Sequence, residues 1–434
     1  MDHTGYDTWG GVLVGIVLVS ACLPLVLHLA RKEEDPRVAR LLPWAFGLKL
    51  ASSLVRYVVT FGVYDGASDA NIYHEAGEFL APLYRHGDFS ADLGKFIGVG
   101  FMRALTGLLY VVTGPTKVGG FLMYSVMGFW GLYLFYRAFC LACPEGDRWR
   151  YARLVFLLPS LLFWSSSIGK EAWMTLVLGL ATFGAARILA KKRAGFVLLA
   201  LGLTGMAVVR PHVGAILMAS LVVAYLLRRP PSGRTLLSPI GKIAGVLVLG
   251  IALVLVVGQA KQLFGVKDQF DAEAVSAVLE RARSETSDAG SYFGSGPTNR
   301  SPSQFPAALA AVLFRPFPWE ANNPLALVAS LEGMVLLGLF SVCWRRVVGA
   351  VRSVLRTPYV VLCLCYSVLF VYGFSSFANF GILTRQRVQL FPFILVLLAL
   401  PPFHRRDLGW RGLLQDAPVD AKPPDAGREP ARPW

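Results

Sequence analysis

The chain has 434 residues, of which 55% are hydrophobic and 16% charged, and its mean hydropathy is +0.54. A soluble domain carries about 25% charged residues, and so apolar a chain would expose large greasy patches to water; a soluble enzyme, a disordered chain and a collagen-like fibre are excluded. The net charge of +15 is settled by its placement: segments assigned below to the inner side of a membrane hold 26 basic and 10 acidic residues, those assigned to the outer side 14 and 16, which is the positive-inside pattern and not a nucleic-acid footprint.

Eleven spans are predicted, near 10–30, 41–63, 117–138, 150–168, 171–190, 194–209, 213–228, 239–259, 323–344, 357–376 and 387–402. At a rise of about 1.5 Å per residue most of them cross a hydrocarbon core of about 30 Å. The first has no Lys or Arg in its N-terminal flank, whereas Arg31-Lys32 follow it, so it reads as a span and not a cleavable signal. That flank places the N-terminus outside and, by alternation, the C-terminus inside. The first outer loop, 64–95, is acidic, and the apolar stretch 96–113 reads as an interfacial or re-entrant helix. The second outer loop, 260–322, carries an amphipathic pattern at 271–286, a Gly/Ser/Pro-rich connector at 287–303 and an apolar stretch ending in Arg315-Pro-Phe-Pro-Trp319-Glu320. Residues 1–411 are expected to form one integral membrane domain, and 412–434 a disordered cytoplasmic tail. Cys140 and Cys143 form a CxxC without a second pair or a neighbouring His, the pattern of packing cysteines and not of a zinc site. The expected fold class is therefore an all-α polytopic protein of about eleven transmembrane helices, with outer-side amphipathic helices, in a bacterial inner membrane or plasma membrane.

Burying charge in a bilayer is costly, so the polar residues of such a chain are informative. They collect at the outer ends of spans: Asp65 and Asp69 after the second, Lys170-Glu171 before the fifth, Arg210-Pro-His212 between the sixth and seventh, Arg315, Trp319 and Glu320 in the second loop, and Asn379, Arg385 and Arg387 before the last. A cavity at the outer leaflet accounts for all of them, and its chemistry suits transfer of a sugar from a lipid phosphate. Lys170, Arg210, Arg385 and Arg387 can hold phosphate oxygens. Asp65 or Asp69 can take the proton of an acceptor hydroxyl. Glu171, His212, Arg315, Trp319 and Glu320 are expected to line the substrate, with Trp319 or Trp164 against a sugar ring. Asp69, His74 and Glu75 could also take a divalent metal; alternatively they wet the polar face of an amphipathic helix, and Ser68 or Asp69 simply caps it. Lys49 and Arg56, seven residues apart, share one face of the second span, and a buried pair with Glu332 is expected. A charge that deep could instead mark an ion pathway, which keeps a lipid-glycan flippase or other transporter as an alternative.

The order of these features resembles the GT-C superfamily of membrane glycosyltransferases, of the protein O-mannosyltransferase and aminoarabinose-transferase types. The resemblance lies in an early carboxylate loop, amphipathic segments, and the hairpin Pro159-Ser160…Trp164-Ser-Ser…Lys170-Glu171, over roughly 41–228. It implies a catalytic carboxylate in the first outer loop, at Asp65 or Asp69, a polyprenyl-phosphate-linked sugar as donor, and a glycan or lipid acceptor. Two features depart from that pattern: one span precedes the expected first, and the carboxylates are spaced Asp-x-x-x-Asp instead of adjacent. The last third, Asn379-Phe-Gly-Ile-Leu-Thr-Arg385-Gln-Arg387 with Arg210-Pro-His212, is similar to the Arg-dependent sites of O-antigen polymerases and ligases, which use lipid-diphosphate glycans.

Overall fold

A computed structural model describes residues 4–228, 238–264, 302–321, 323–375 and 379–402, and every regular element among them is helical. The region expected as the first outer loop, 64–95, and most of the expected spans fall inside these limits. The amphipathic pattern at 271–286, nearly all of the connector at 287–303 and the tail at 412–434 lie outside the described residues.

Helices form where the sequence supplies apolar runs with capping residues. The first pair is α1 (Thr4–Arg31) and α2 (Pro36–Val58), the latter begun by Asp35, whose side chain accepts from Arg37 N, and continued by a π-helical turn, Val59–Val63. After α3 (Asp69–Arg85) and α4 (Phe101–Thr113) comes α5 (Lys117–Ala142), capped by Thr116. A broken segment follows, α6 (Arg148–Leu157) and α7 (Pro159–Phe163), then α8 (Lys170–Leu189), α9 (Gly195–Ala207), α10 (Pro211–Leu226) and α11 (Ser238–Phe264). The C-terminal part holds α12 (Phe305–Phe314), α13 (Pro324–Val342), α14 (Trp344–Arg352), α15 (Pro358–Phe374), α16 (Phe380–Gln386), α17 (Phe391–Ile394) and α18 (Val396–Ala399).

Among the described residues, six helical stretches are long and apolar enough to cross a membrane, or seven if the bent pair Gly381–Gln389 and Phe391–Ala399 is one span. This is fewer than the eleven expected. The expected spans at 194–209, 213–228 and 357–376 correspond to helices of 13, 16 and 17 residues, about 20–26 Å long and short of a full crossing. The expected span at 150–168 is broken at Leu158-Pro159, and the one at 387–402 bends by 50°. Phe96–Thr113, read as interfacial, is long enough by length and composition, yet the backbone kinks at Ile97-Gly98 and leaves the 13 residues of α4 as regular helix.

The core of the bundle is α5, α8 and α9, with α2 against α5 and α10 against α11 and α15. Small residues bring the backbones together, the membrane solution when apolar side chains gain nothing from leaving lipid. A Cβ on Gly131 of α5 would lie 2.3 Å from Thr175 O of α8, and one on Gly202 of α9 would lie 2.6 Å from Val177 O.

Two deep charges fix the hairpin that carries the site, and neither pairs as expected. Lys49, 1% exposed, donates from Nζ to Leu161 O (2.8 Å), Leu162 O (2.9 Å) and Ser165 Oγ (2.6 Å). Three acceptors at the frayed end of α7 satisfy its three protons without a carboxylate. Glu332 of α13 accepts from Ser160 N at 2.9 Å and from Ser160 Oγ. The predicted Lys49–Glu332 or Arg56–Glu332 pair is therefore absent: the short helix α7 leaves backbone groups free at both ends, an N–H for Glu332 at its start and carbonyls for Lys49 at its close.

Candidate functional site

The irregular turn Trp164–Gly169 sets the site. Its serines are buried, and two of them bond back to the chain: Ser165 Oγ to Leu161 O and Ser166 Oγ to Leu162 O, both at 2.6 Å. Such local bonds satisfy a buried turn that no helix ladder serves. The turn ends at α8, placing Glu171 in the first helical turn, where a carboxylate meets the positive end of the helix dipole. Arg210 precedes Pro211 at the start of α10, where a cation is unfavourable unless it is paired.

These residues meet. Glu171, 4% exposed, accepts from Arg210 Nη2 at 3.0 Å and lies 3.5 Å from Arg385 Nη2. The same Arg385 nitrogen donates to Asp69 Oδ2 at 2.9 Å. Asp69 opens α3, and Ser68 takes the capping position, so the Asp69 carboxylate is free to reach across to α16. Lys170 and Arg56 lie within electrostatic range of Glu171, Asp69 and Arg385. Buried Tyr73 faces the same charges; desolvation, then the Asp69 and Glu171 carboxylates, push its phenol above the usual range. Among the described residues four cations thus stand against two carboxylates, and the excess positive charge suits an anion.

A cavity of about 160 Å³ adjoins this cluster, lined by Tyr64, Trp164, Glu320, Asn323 and Thr384 among others. Glu320 accepts from Arg315 Nε at 3.0 Å and from Phe317 N at 2.8 Å. Desolvation raises its pKa, but these donors outweigh it and hold the carboxyl below its usual range, so Glu320 is an ionised acceptor. Trp319 is not the aromatic wall: it is 77% exposed and stacks on Phe317, while Trp164 lines the cavity.

The other predicted residues fall elsewhere. Asp65 is exposed in a turn with φ of 46°, followed by Gly66 at 74°, and no ion pair to it occurs among the described residues. His212 packs its ring 5.9 Å from that of Phe374, beside Arg210. His74 and Glu75 do not converge with Asp69 on an ion: His74 Nδ1 bonds Tyr110 Oη at 2.8 Å, and Glu75 accepts from Asn71 at 2.7 Å. Burial, then the Lys117 charge, push the His74 pKa down to about 4, so it is a neutral core residue near pH 7. No group of three His, Cys, Asp or Glu side chains placed to hold a metal occurs among the described residues.

Arg387 is fully buried, donating to Arg315 O at 2.8 Å and, more weakly, to Leu313 O and Ala329 O. It fastens α12 to α13 instead of joining the anion cluster. Arg387→Gln is expected to lower the thermal midpoint of the detergent-solubilised protein while leaving lipid-phosphate affinity of the folded fraction unchanged. A normal midpoint with lost affinity would return Arg387 to the site.

The site residue that sequence reasoning missed is Arg56, assigned to a structural pair and found beside the charge cluster. Its signal was available: it lies in the last turn of α2, one π-turn before the acidic loop. Comparison with protein-family models, curated proteins and solved structures finds no match to this chain.

Proposed function

We propose that this chain is a membrane glycosyltransferase of the GT-C type, moving a sugar from a polyprenyl phosphate or diphosphate at the outer leaflet in the assembly of a cell-surface glycan. The observation that carries the reading is the excess of guanidinium and ammonium charge around Asp69 and Glu171, next to a cavity with aromatic, amide and carboxylate walls. The outer side follows from the basic residues assigned to the opposite loops. In this reading Arg210, Arg385 and Lys170 hold the phosphate. Asp69 takes the proton of the acceptor hydroxyl, whose oxygen bonds to the anomeric carbon. The bond from that carbon to the phosphate oxygen breaks, and the lipid phosphate leaves with the electron pair, stabilised by the arginines. Arg385 touches both Asp69 and Glu171, so an incoming phosphate competes with Asp69 for it and frees the carboxylate to act as base.

That same contact favours a second reading, an Arg-dependent polymerase or ligase acting on lipid-diphosphate glycans, because a carboxylate paired with a guanidinium is a weak base. The transport alternative has less behind it: Lys49 and Glu332, the deep charges it invoked, are satisfied by neighbouring backbone and serine groups.

Lipid-linked glycan analysis in cells lacking the protein separates the readings. A lipid-linked single sugar is expected to accumulate. A complete repeat unit on the outer leaflet would favour the polymerase or ligase, and the same unit held on the inner leaflet a flippase. No change in any lipid-linked glycan would overturn all three.

A further inference from the structure

We propose that Arg56 binds the phosphate of the lipid-linked donor and that the adjoining cavity takes its sugar, an assignment that rests on the glycosyltransferase reading and orients the donor within it. Arg56 closes α2 with its guanidinium carbon 4.7 Å from the Phe163 ring centroid and 4.8 Å from that of Trp164. Among the described residues it makes no hydrogen bond and no ion pair, and its Nε is enclosed without a partner. Arg210 is in a related state: Nη2 is bound to Glu171, but Nη1 is enclosed and unpaired. Lys49, one face along α2, has its three protons satisfied, so an unpaired cation is not a general property of this helix.

A guanidinium that no carboxylate contacts at the end of a span is costly, and the charges of Glu171 and Asp69 farther off and two ring faces offset only part of that. An anion with several oxygens removes the deficit, because the planar fork of Arg56 matches a phosphate. What the anion carries follows from the neighbours. Trp164 packs on Arg56 and Tyr64 lies within its electrostatic range, and both also line the cavity with Glu320, Asn323 and Thr384. Those groups offer an aromatic edge and hydrogen-bond partners, the lining that a hydroxylated ring requires. The donor therefore lies with its phosphate at Arg56 and Arg210 and its sugar toward Glu320, while the acceptor approaches from Asp69 on α3.

The test uses the full chain in lipid nanodiscs, with polyprenyl phosphate, the uncharged polyprenol, and a polyprenyl phosphate carrying a sugar as probes. Wild type is expected to prefer the phosphate over the alcohol. Arg56→Gln should lose at least about tenfold of that preference, the size of one charge-assisted hydrogen bond. Ala326→Phe, which fills the cavity, should leave polyprenyl phosphate binding within about twofold and remove the added affinity given by the sugar. Should Arg56→Gln fail to accumulate, phenylglyoxal labelling of Arg56 in the wild-type chain decides: polyprenyl phosphate should slow it and polyprenol should not. Wild-type phosphate preference in Arg56→Gln, or labelling that the phosphate leaves unchanged, overturns the assignment while leaving the glycosyltransferase reading in place. Unchanged sugar affinity in Ala326→Phe overturns the orientation. A wild-type protein that does not distinguish phosphate from alcohol removes the wider reading and this one together.

Discussion

Glu171→Gln is expected to destabilise the protein by about 3–5 kcal/mol, the cost of removing one partner from a buried ion pair. Glu171 is 4% exposed and is the carboxylate that Arg210 grips, whereas Arg385 keeps Asp69 if Glu171 is lost. The penalty therefore falls on Arg210, left with an amide oxygen in place of its counter-charge and with Nη1 still unpaired at the start of α10, where the helix dipole already opposes it. The double variant Glu171→Gln/Arg210→Met should recover most of the loss, since no charge then remains buried and unpaired. Denaturation midpoints of the solubilised proteins in a double-mutant cycle measure the coupling. Additive effects would show that the pair is not the buried interaction described.

Asp69→Asn is expected to reduce sugar transfer about 10²–10⁴-fold, the range associated with loss of a positioned general base. Its side chain is 50% exposed, so folding should survive and protein levels should stay normal. Asp65→Asn, in contrast, should transfer at close to the wild-type rate, because Asp65 stands in a solvent-facing turn outside the cluster. Arg385→Lys keeps a charge opposite Asp69 but loses the planar set of donors that a phosphate would engage, and should raise KM more than it lowers kcat. Transfer by purified variants from a synthetic lipid-linked donor gives these values. Full activity in Asp69→Asn would shift the chemistry to the Arg-dependent reading, and loss of activity in Asp65→Asn alone would move the base to the turn.

The two arginines near the last helical segment illustrate how far the sequence could be read. Arg385 and Arg387 were placed together because both lie at the start of a predicted span. Residues two apart on a helix point to nearly opposite sides. Arg385 accordingly meets Asp69 and Glu171, and Arg387 turns into the protein toward the carbonyls of Leu313 and Arg315. The periodicity argument was available and would have separated them. Lys49 and Arg56 present the converse case. Seven residues apart, they share a helix face, and both meet the segment that ends α7: Lys49 the carbonyls of Leu161 and Leu162, Arg56 the rings of Phe163 and Trp164 with the charge cluster beyond.

The sequence by itself determined that this is a helical membrane protein, because runs of apolar residues with few charges have nowhere else to be stable. It also determined that polar groups gather at the ends of certain helices, because burying them deeper costs too much. Only the tertiary structure decided which of them meet. The break at Pro159 and the bend after Gln389 shorten two expected spans, the kink at Ile97-Gly98 shortens the helix expected at the interface, and each frees backbone groups or redirects a helix end. A charge finds its partner across 100 residues or more of chain, as Lys49 does at Leu161 and Arg385 at Asp69. That choice depends on which backbones approach closely through Gly131 and Gly202, a property of packed helices in three dimensions and not of spacing along one of them.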